Sequence, residues 1–325
     1  MLKAVLIGAG NHAEYVHGPS LARYAKEHPE ELELAAVFTR REERARLFRE
    51  QFGFARSYAD VNQMLEAERP DWCFVCVPIE ATREVAGAVM ERGVPVLYEK
   101  PPGKNLQEAR ELAEISVRTG TPNAVAFNRR WAPCTQQALA WIAEHGPVEY
   151  VHARMLRFKR MDEEFAFGTG IHLLDCVRLL AEAGAGGIAR ARTVRTRAAS
   201  GAFNFTVDLD FRSGARGRCD ILPTCGSLDE TYVLYGKEAT VVASLPWAGG
   251  GKTTPGRAEL WVEGKLVEAA CLPADPLYLG SGFYQQVAAF VAARREGRRP
   301  TPSSEEAVAS VALATAVQAG EDISF

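Results

Sequence analysis

No apolar run in these 325 residues approaches the roughly 20 residues that cross a bilayer, so no spanning helix is expected. Charge of one sign is missing too: 38 Lys and Arg stand against 41 Asp and Glu, a formal net charge of -3. Such a balance offers no general attraction to nucleic acid or to an anionic membrane, which leaves a small molecule or a second copy of the chain as the expected partner. The seven cysteines are odd in number and follow no regular framework. They read as reduced thiols, and the protein is expected to be cytoplasmic. Cys73 and Cys76 do form a CxxC, but inside the apolar run WCFVCVP, where a buried parallel strand is expected in place of a redox turn. The N-terminal MLKAVLIGAG is interrupted by glycines and then Glu14, too early for a secretory apolar core. There is no internal repeat or low-complexity tract, and no metal is expected.

The chain has the length for two domains, and 47% hydrophobic with 24% charged residues suits a soluble protein with a full core. Over residues 1–128, apolar strand candidates at 3–7, 32–38, 72–77, 94–97 and 124–127 alternate with helical segments. That pattern predicts an α/β fold, a doubly wound parallel sheet with helices on both faces. Past NRRWAP the character changes. In FNFTVDLDFRSG, residues Phe203, Phe205, Val207, Leu209 and Phe211 share one face while Asn204, Thr206, Asp208, Asp210 and Arg212 share the other, the period of two of an antiparallel strand covered on one side. Further strands are expected at 215–222, 230–235, 239–244 and 259–262. Phe283, Val287, Phe290 and Val291 recur at helical spacing, and Ser303 with Glu306 forms a capping box. AEAGAGGIARA and WAGGGKTTPG read as surface loops. Residues 129–325 are therefore expected to form an α+β domain with an open, mostly antiparallel sheet, whose uncovered face suits a homo-oligomer contact, dimer or tetramer. Arg192, Arg195 and Arg197 are expected to line that exposed face or a subunit interface.

Directly after the first strand, Gly8, Gly10 and Ala13 spell G-x-G-x-x-A around Asn11 and His12. Gly8 permits a tight turn, Gly10 lets backbone approach a pyrophosphate, Ala13 keeps helix and strand close, and the helix N-terminus attracts phosphate. The motif is weak alone, but its place in a βαβ pattern points to a dinucleotide. An NAD site commonly carries an acid at the end of the second strand. Here stand Thr39, Arg40 and Arg41, and guanidinium forks suit a 2'-phosphate, so NADP is favoured over NAD. The competing reading has both arginines opening a solvated helix beside Glu42 and Glu43.

In VPVLYEKPPGKN a strand candidate ends on Glu99 and Lys100 before two prolines. Together with GAGNHA, FGFARSYADVNQML, VCVP, AFNRRWAP, GPVEYVHARM, GIHLLD and FVAARREGRRPTPSSEEAV, this segment resembles the glucose-fructose oxidoreductase, inositol dehydrogenase and MocA family (Gfo/Idh/MocA) across nearly the whole chain. The resemblance implies an NAD(P)-dependent oxidoreductase moving hydride between nicotinamide and a secondary alcohol or ketone of a sugar, inositol or related ring. It implies that Lys100 clamps the reacting oxygen, that His172 handles the proton and touches substrate, and that Val77, Pro78, Glu99 and Lys100 itself join the cofactor residues. Arg129, Arg130, Trp131 and Asp175 are implied substrate residues, the first three otherwise serving as structural glue. His17 fits a family helix position that does not require substrate contact. Three positions depart from the pattern. Gly168 stands where the family has an aspartate four residues before the histidine, leaving Asp162, Glu163 or Glu164 as replacements, or Asp175 to orient His172, although an acid at the Asp175 position is common in the family and is expected to be structural. Ile79 and Thr82 replace an Asn and a His. The alternative function is a cofactor-binding regulator or pseudoenzyme of the same fold.

Overall fold

The computed structural model describes residues 1–249, 252–272 and 274–325. They form two compact units, Met1–Phe127 with Phe283–Val308, and Asn128–Gly282 with Ala309–Phe325.

The first unit alternates strand and helix. β1 (Leu2–Ile7) leads through a π-helical turn (Ala13–His17) into α1 (Gly18–Glu27), followed by β2 (Leu32–Phe38), α2 (Glu42–Phe52), β3 (Arg56–Tyr58), α3 (Val61–Glu68), β4 (Trp72–Val75), α4 (Ile79–Glu91), β5 (Val96–Tyr98), α5 (Leu106–Thr119) and β6 (Asn123–Val125). The sheet order is β3-β2-β1-β4-β5-β6, every pair parallel. A strand buried on both faces has no polar side to show, which is why β4 reads Trp-Cys-Phe-Val and is buried throughout. Burial pushes the Cys73 and Cys76 thiols well above their ordinary range, and both are unbridged. The expected doubly wound sheet is present, with its order reversing between β1 and β4, the point at which open sheets bind ligands beyond the strand ends. β3 carried no apolar run to betray it. It is held by pairing to β2 and by Glu68, which accepts from Arg56 Nε at 2.5 Å and from Tyr58 Oη at 2.7 Å.

The second unit contains α6 (Pro133–His145), β7 (Val148–Leu156), α7 (Ile171–Gly184), β8 (Ile188–Arg197), β9 (Phe203–Phe211), β10 (Arg216–Leu222), β11 (Asp229–Gly236), β12 (Ala239–Ser244), β13 (Trp247–Gly249), β14 (Lys252–Thr254), β15 (Gly256–Val262), β16 (Lys265–Leu272), α8 (Leu277–Gly280) and the short β17 (Ile323–Ser324). Among the described residues, nine of these strands form one sheet, β16-β15-β12-β11-β7-β10-β9-β8-β17. It is antiparallel except for β7 with β10. In β9 the expected alternation holds: Phe205, Val207, Leu209 and Phe211 are buried, while Thr206, Asp208 and Asp210 are partly exposed. Arg195 and Arg197 lie exposed on β8, with the Arg195 guanidinium 3.6 Å from the Phe203 ring centroid.

Two loop expectations are corrected. AEAGAGGIARA supplies the end of α7 and the start of β8, because Ala181, Ala185, Ile188 and Ala191 are small or apolar side chains that the core takes in. WAGGGKTTPG contains the β13–β14 hairpin, with Trp247 opposite Thr254. Gly250 and Gly251 within it lie outside the described residues.

The expected 129–325 domain also needs correction. The helix α9 (Phe283–Arg295) and the first turn of α10 (Ser304–Ala319) belong to the first unit. Val287, Phe290 and Val291 pack into the core formed by Leu6, Leu21, Trp72 and Phe74, the Phe290 ring 4.9 Å from that of Trp72. Each such burial is worth about 1.5–3 kcal/mol, which is enough to fix the segment there. The capping box forms as read, Ser303 N donating to Glu306 Oε2 at 2.7 Å and Glu306 N to Ser303 Oγ at 3.3 Å. Among the described residues no helix is long and apolar enough to cross a membrane.

Candidate functional site

In the first unit the site grows from the strand ends at the switch point. Gly8 N donates to the Phe38 carbonyl at 2.8 Å, and Cys76 N donates to the Ile7 carbonyl at 2.8 Å, so the ends of β1, β2 and β4 are tied together. Gly8 has φ +104°, and a Cβ there would lie 2.1 Å from the Cys76 carbonyl oxygen. Glycine is required by the chain itself at that position. Gly10 differs: a Cβ there would meet nothing within 4 Å, and the residue is exposed. No neighbour in the fold demands glycine at 10, so the open backbone fits a group that must approach from outside, as a dinucleotide pyrophosphate does. Asn11 and His12 are exposed at the start of the following helix, and Ala13 is fully buried beneath it. Val77 is half-buried and Pro78, the N-cap residue of α4, is exposed on the neighbouring strand end. These residues can hold a dinucleotide.

Thr39 is half-buried beyond β2, and Arg40 and Arg41 are exposed, with Arg41 capping α2. A third arginine was not singled out from the sequence. Arg44 donates from Nε to the Ala9 carbonyl at 2.8 Å and pairs through Nη2 with Glu14 at 2.7 Å. It therefore braces the glycine turn from α2. An arginine in the first turn of a charged helix looks like any solvated residue, so only the fold reveals this role.

Glu99 follows β5 and is buried, its N–H donating to the Val75 carbonyl at 3.0 Å. Its Oε1 lies 2.6 Å from His17 Nε2 and 3.7 Å from His12 Nε2, and its Oε2 accepts the backbone N–H of Lys100 at 3.2 Å. Burial alone would raise the Glu99 pKa, but the neighbouring His17, hydrogen-bonded to it, and His12 outweigh that effect and hold the carboxyl well below its usual range. Burial lowers His17 below its ordinary value. The pair is consistent with a neutral imidazole donating Nε2–H to a carboxylate. His17 is 0% exposed, with its ring centroid 4.4 Å from that of Phe74 and 5.4 Å from that of Phe283. The π-helical turn ending at His17 turns this side chain inward. Lys100 itself is half-buried.

In the second unit, His172 is buried in the first turn of α7. Asp175, expected as a possible partner for it, is committed elsewhere. Its carboxylate accepts Arg130 Nε and Nη2, both at 2.7 Å, and Ser310 Oγ at 2.7 Å. Asp162 pairs with Arg160, and Asp162, Glu163 and Glu164 are exposed. A Cβ on Gly168 would meet nothing within 4 Å, so the position has room for the side chain it lacks. Arg129 lies 3.4 Å from Glu230 and donates to Asn128 Oδ1 at 3.0 Å. Glu230 also binds buried Arg157 and accepts Tyr232 Oη at 2.9 Å. Arg129 and Arg130 are thus bound into internal ion pairs of this unit, and Trp131 is half-buried beside them. Thr82, in place of the family histidine, is buried and donates to the Pro78 carbonyl at 3.4 Å.

Residues 2–127 match a family model described as an oxidoreductase family with an NAD-binding Rossmann fold. The chain is 33% identical over 158 residues to the D-glucoside 3-dehydrogenase of Escherichia coli, covering 48% of this chain and 44% of that one. It is 25% identical over 140 residues to the NADP(+)-dependent scyllo-inositol 2-dehydrogenase of Bacillus subtilis, covering 43% of each. The matched stretch thus spans less than half the length of these relatives. An oxidoreductase from Agrobacterium radiobacter, solved with NAD+, L-tartaric acid and magnesium, shares the fold with a TM-score of 0.80 at 19% identity, over 99% of this chain and 98% of that one.

Proposed function

We propose that the chain, whose residues 2–127 match an oxidoreductase family with an NAD-binding Rossmann fold, is an enzyme of the Gfo/Idh/MocA type that oxidises or reduces a secondary alcohol or ketone on a sugar-like or inositol-like ring. The observation that carries this reading is the pairing of an unobstructed glycine turn at the sheet's switch point with Glu99, which holds the backbone of Lys100 from the neighbouring strand end. When bound, the nicotinamide supplies the hydride acceptor or donor. Gly8, Gly10, Asn11, His12 and Ala13 hold the pyrophosphate, Val77, Pro78 and Glu99 line the nicotinamide side, and Thr39, Arg40 and Arg41 receive the adenosine ribose. Lys100 donates to the reacting oxygen and stabilises the charge that gathers on it. His172 accepts or returns the proton. Arg129, Arg130 and Asp175 frame the substrate pocket as positioning residues, since their polar atoms are already engaged within the fold, and Trp131 stands beside them. The open sheet of the second unit, with Tyr150, Tyr235 and Trp261 exposed, is the contact through which copies associate, to be checked by light scattering.

The test is a panel of polyols and sugars with NADP and NAD, read as absorbance of the reduced nicotinamide. Turnover on any member supports the reading, and binding of cofactor without turnover in either direction across a broad panel rejects it. Arg40→Ala is expected to weaken NADP binding about 10- to 150-fold and leave NAD unchanged, because one guanidinium contact to a 2'-phosphate is worth about 1.5–3 kcal/mol. Equal effects on both would make Arg40 a surface charge only.

Gly168 favours a second reading, a cofactor-loaded regulator, because the carboxylate expected beside His172 is gone. The open space at this position makes that reading testable. Gly168→Asp is expected to fold as the parent does and to raise turnover on the order of tenfold, with the gain concentrated in kcat, if a relay to His172 is all that is lacking. A variant with unchanged melting and no gain in kcat would favour the regulator.

A further inference from the structure

Three side chains that the reaction leaves partly unused gather at one point. Glu99 Oε1 lies 2.6 Å from His17 Nε2 and 3.7 Å from His12 Nε2, and the donor atoms of all three fall within 4.8 Å of one another. We propose that His12, His17 and Glu99 form a Zn2+ site, the metal replacing the proton now shared between His17 and Glu99. This departs from the sequence expectation of no metal and concerns the cofactor-free chain, since His12 and Glu99 are also proposed to contact the dinucleotide.

Two imidazoles and one carboxylate are a donor set that zinc accepts, with the fourth position left for water or another ligand. Donor atoms on a tetrahedral zinc with bonds of about 2.0–2.1 Å lie about 3.4 Å apart. The two separations at Glu99 bracket that value. His17 and Glu99 must part slightly and His12 must come slightly closer. His12 is free to do so, since its side chain is 51% exposed, whereas His17 and Glu99 are 0% and 10% exposed. The fixed half of the site is thus already in place. Phe74 and Phe283 hold the His17 ring edge-on, and the Lys100 N–H occupies Glu99 Oε2, which directs Oε1 toward the histidines. His17 Nδ1 is buried without a hydrogen-bond partner, so the ring makes all of its polar contact through Nε2. On binding, the Nε2 proton relocates to Nδ1 and the lone pair at Nε2 goes to the metal. The other three-residue grouping among the described residues, His28 with Glu30 and Glu31, is half-buried to exposed and lacks a buried carboxylate. It serves as the control.

The experiment titrates the full, cofactor-free chain with Zn2+ by calorimetry and with Co2+ by visible absorption. The expected result is one site per chain, with Co2+ bands of a nitrogen and oxygen environment. Affinity should fall at least tenfold in His12→Ala and in Glu99→Gln, at unchanged circular dichroism, while His28→Ala binds as the parent does. The proposal is overturned if His12→Ala binds zinc as tightly as the parent, if His28→Ala removes the site, if the cobalt spectrum shows thiolate charge transfer from the cysteines, or if no visible band develops.

Discussion

Lys100→Met should lower turnover by about 10²–10³-fold while leaving the dissociation constant of the dinucleotide within a few-fold of the parent. The substitution keeps the length and the apolar stem of the side chain and removes only the ammonium. The backbone N–H of Lys100 on Glu99 Oε2 and the Glu99 N–H on the Val75 carbonyl both anchor this segment, and neither is touched by the substitution. The loss should therefore appear in the step where charge builds on the substrate oxygen, for which one preorganised donor is worth about 2.7–4 kcal/mol. Because the interaction strengthens in the transition state, kcat falls more than KM rises. Steady-state kinetics on the best substrate, with cofactor affinity read by fluorescence quenching, checks both halves. Turnover within threefold of the parent would remove Lys100 from the chemistry.

The second large effect concerns stability. Asp175 is 0% exposed and accepts three hydrogen bonds, two of them from the fork of Arg130, whose side chain is 12% exposed. Asp175→Ala removes the carboxylate that both arms of that guanidinium donate to, at a cost of about 3–5 kcal/mol. Urea unfolding should show the midpoint falling sharply. Arg130→Met combined with Asp175→Leu should recover much of the loss, since it removes both charges and keeps the volume. If Asp175 instead served chiefly to orient His172, its replacement would lower kcat and leave the midpoint almost unmoved. The two outcomes are distinct.

The contrast between Lys100 and Asp175 illustrates what could be read from the residues alone. A lysine at a strand end before two prolines stands out in the text, and the surrounding motif supplies a chemical reason for it. Asp175 sits in an ordinary helical pattern, and nothing in its neighbours names Arg130 or Ser310 as partners, since both come from distant chain. The same distinction runs through the fold. β9 was legible because one face meets the core and the other does not, and α9 was legible because its apolar positions return at helical spacing. Periodicity reports that a face is covered, however, and not what covers it. Hence the packing of Val287, Phe290 and Val291 against Trp72 was hidden, and with it the division of the chain into units. β3 and the β13–β14 hairpin were missed for another reason. Three-residue strands are too short to show a period, and glycine-rich text reads as loop even where cross-strand pairing orders it. His17 and Glu99 show the limit for the site. Each was noticed, yet 82 residues separate them, and only the π-helical turn brings one against the other.

The first unit's two-part composition has a consequence for synthesis. Its sheet is complete once residue 127 has left the ribosome, but the helix that covers Trp72 does not begin until 156 residues later, with most of the second unit, Asn128–Gly282, lying between. An amino-terminal fragment ending at 127 would expose that apolar patch to water and to its neighbours. The nascent chain must therefore carry it uncovered, or shielded by a chaperone, through more than a third of translation.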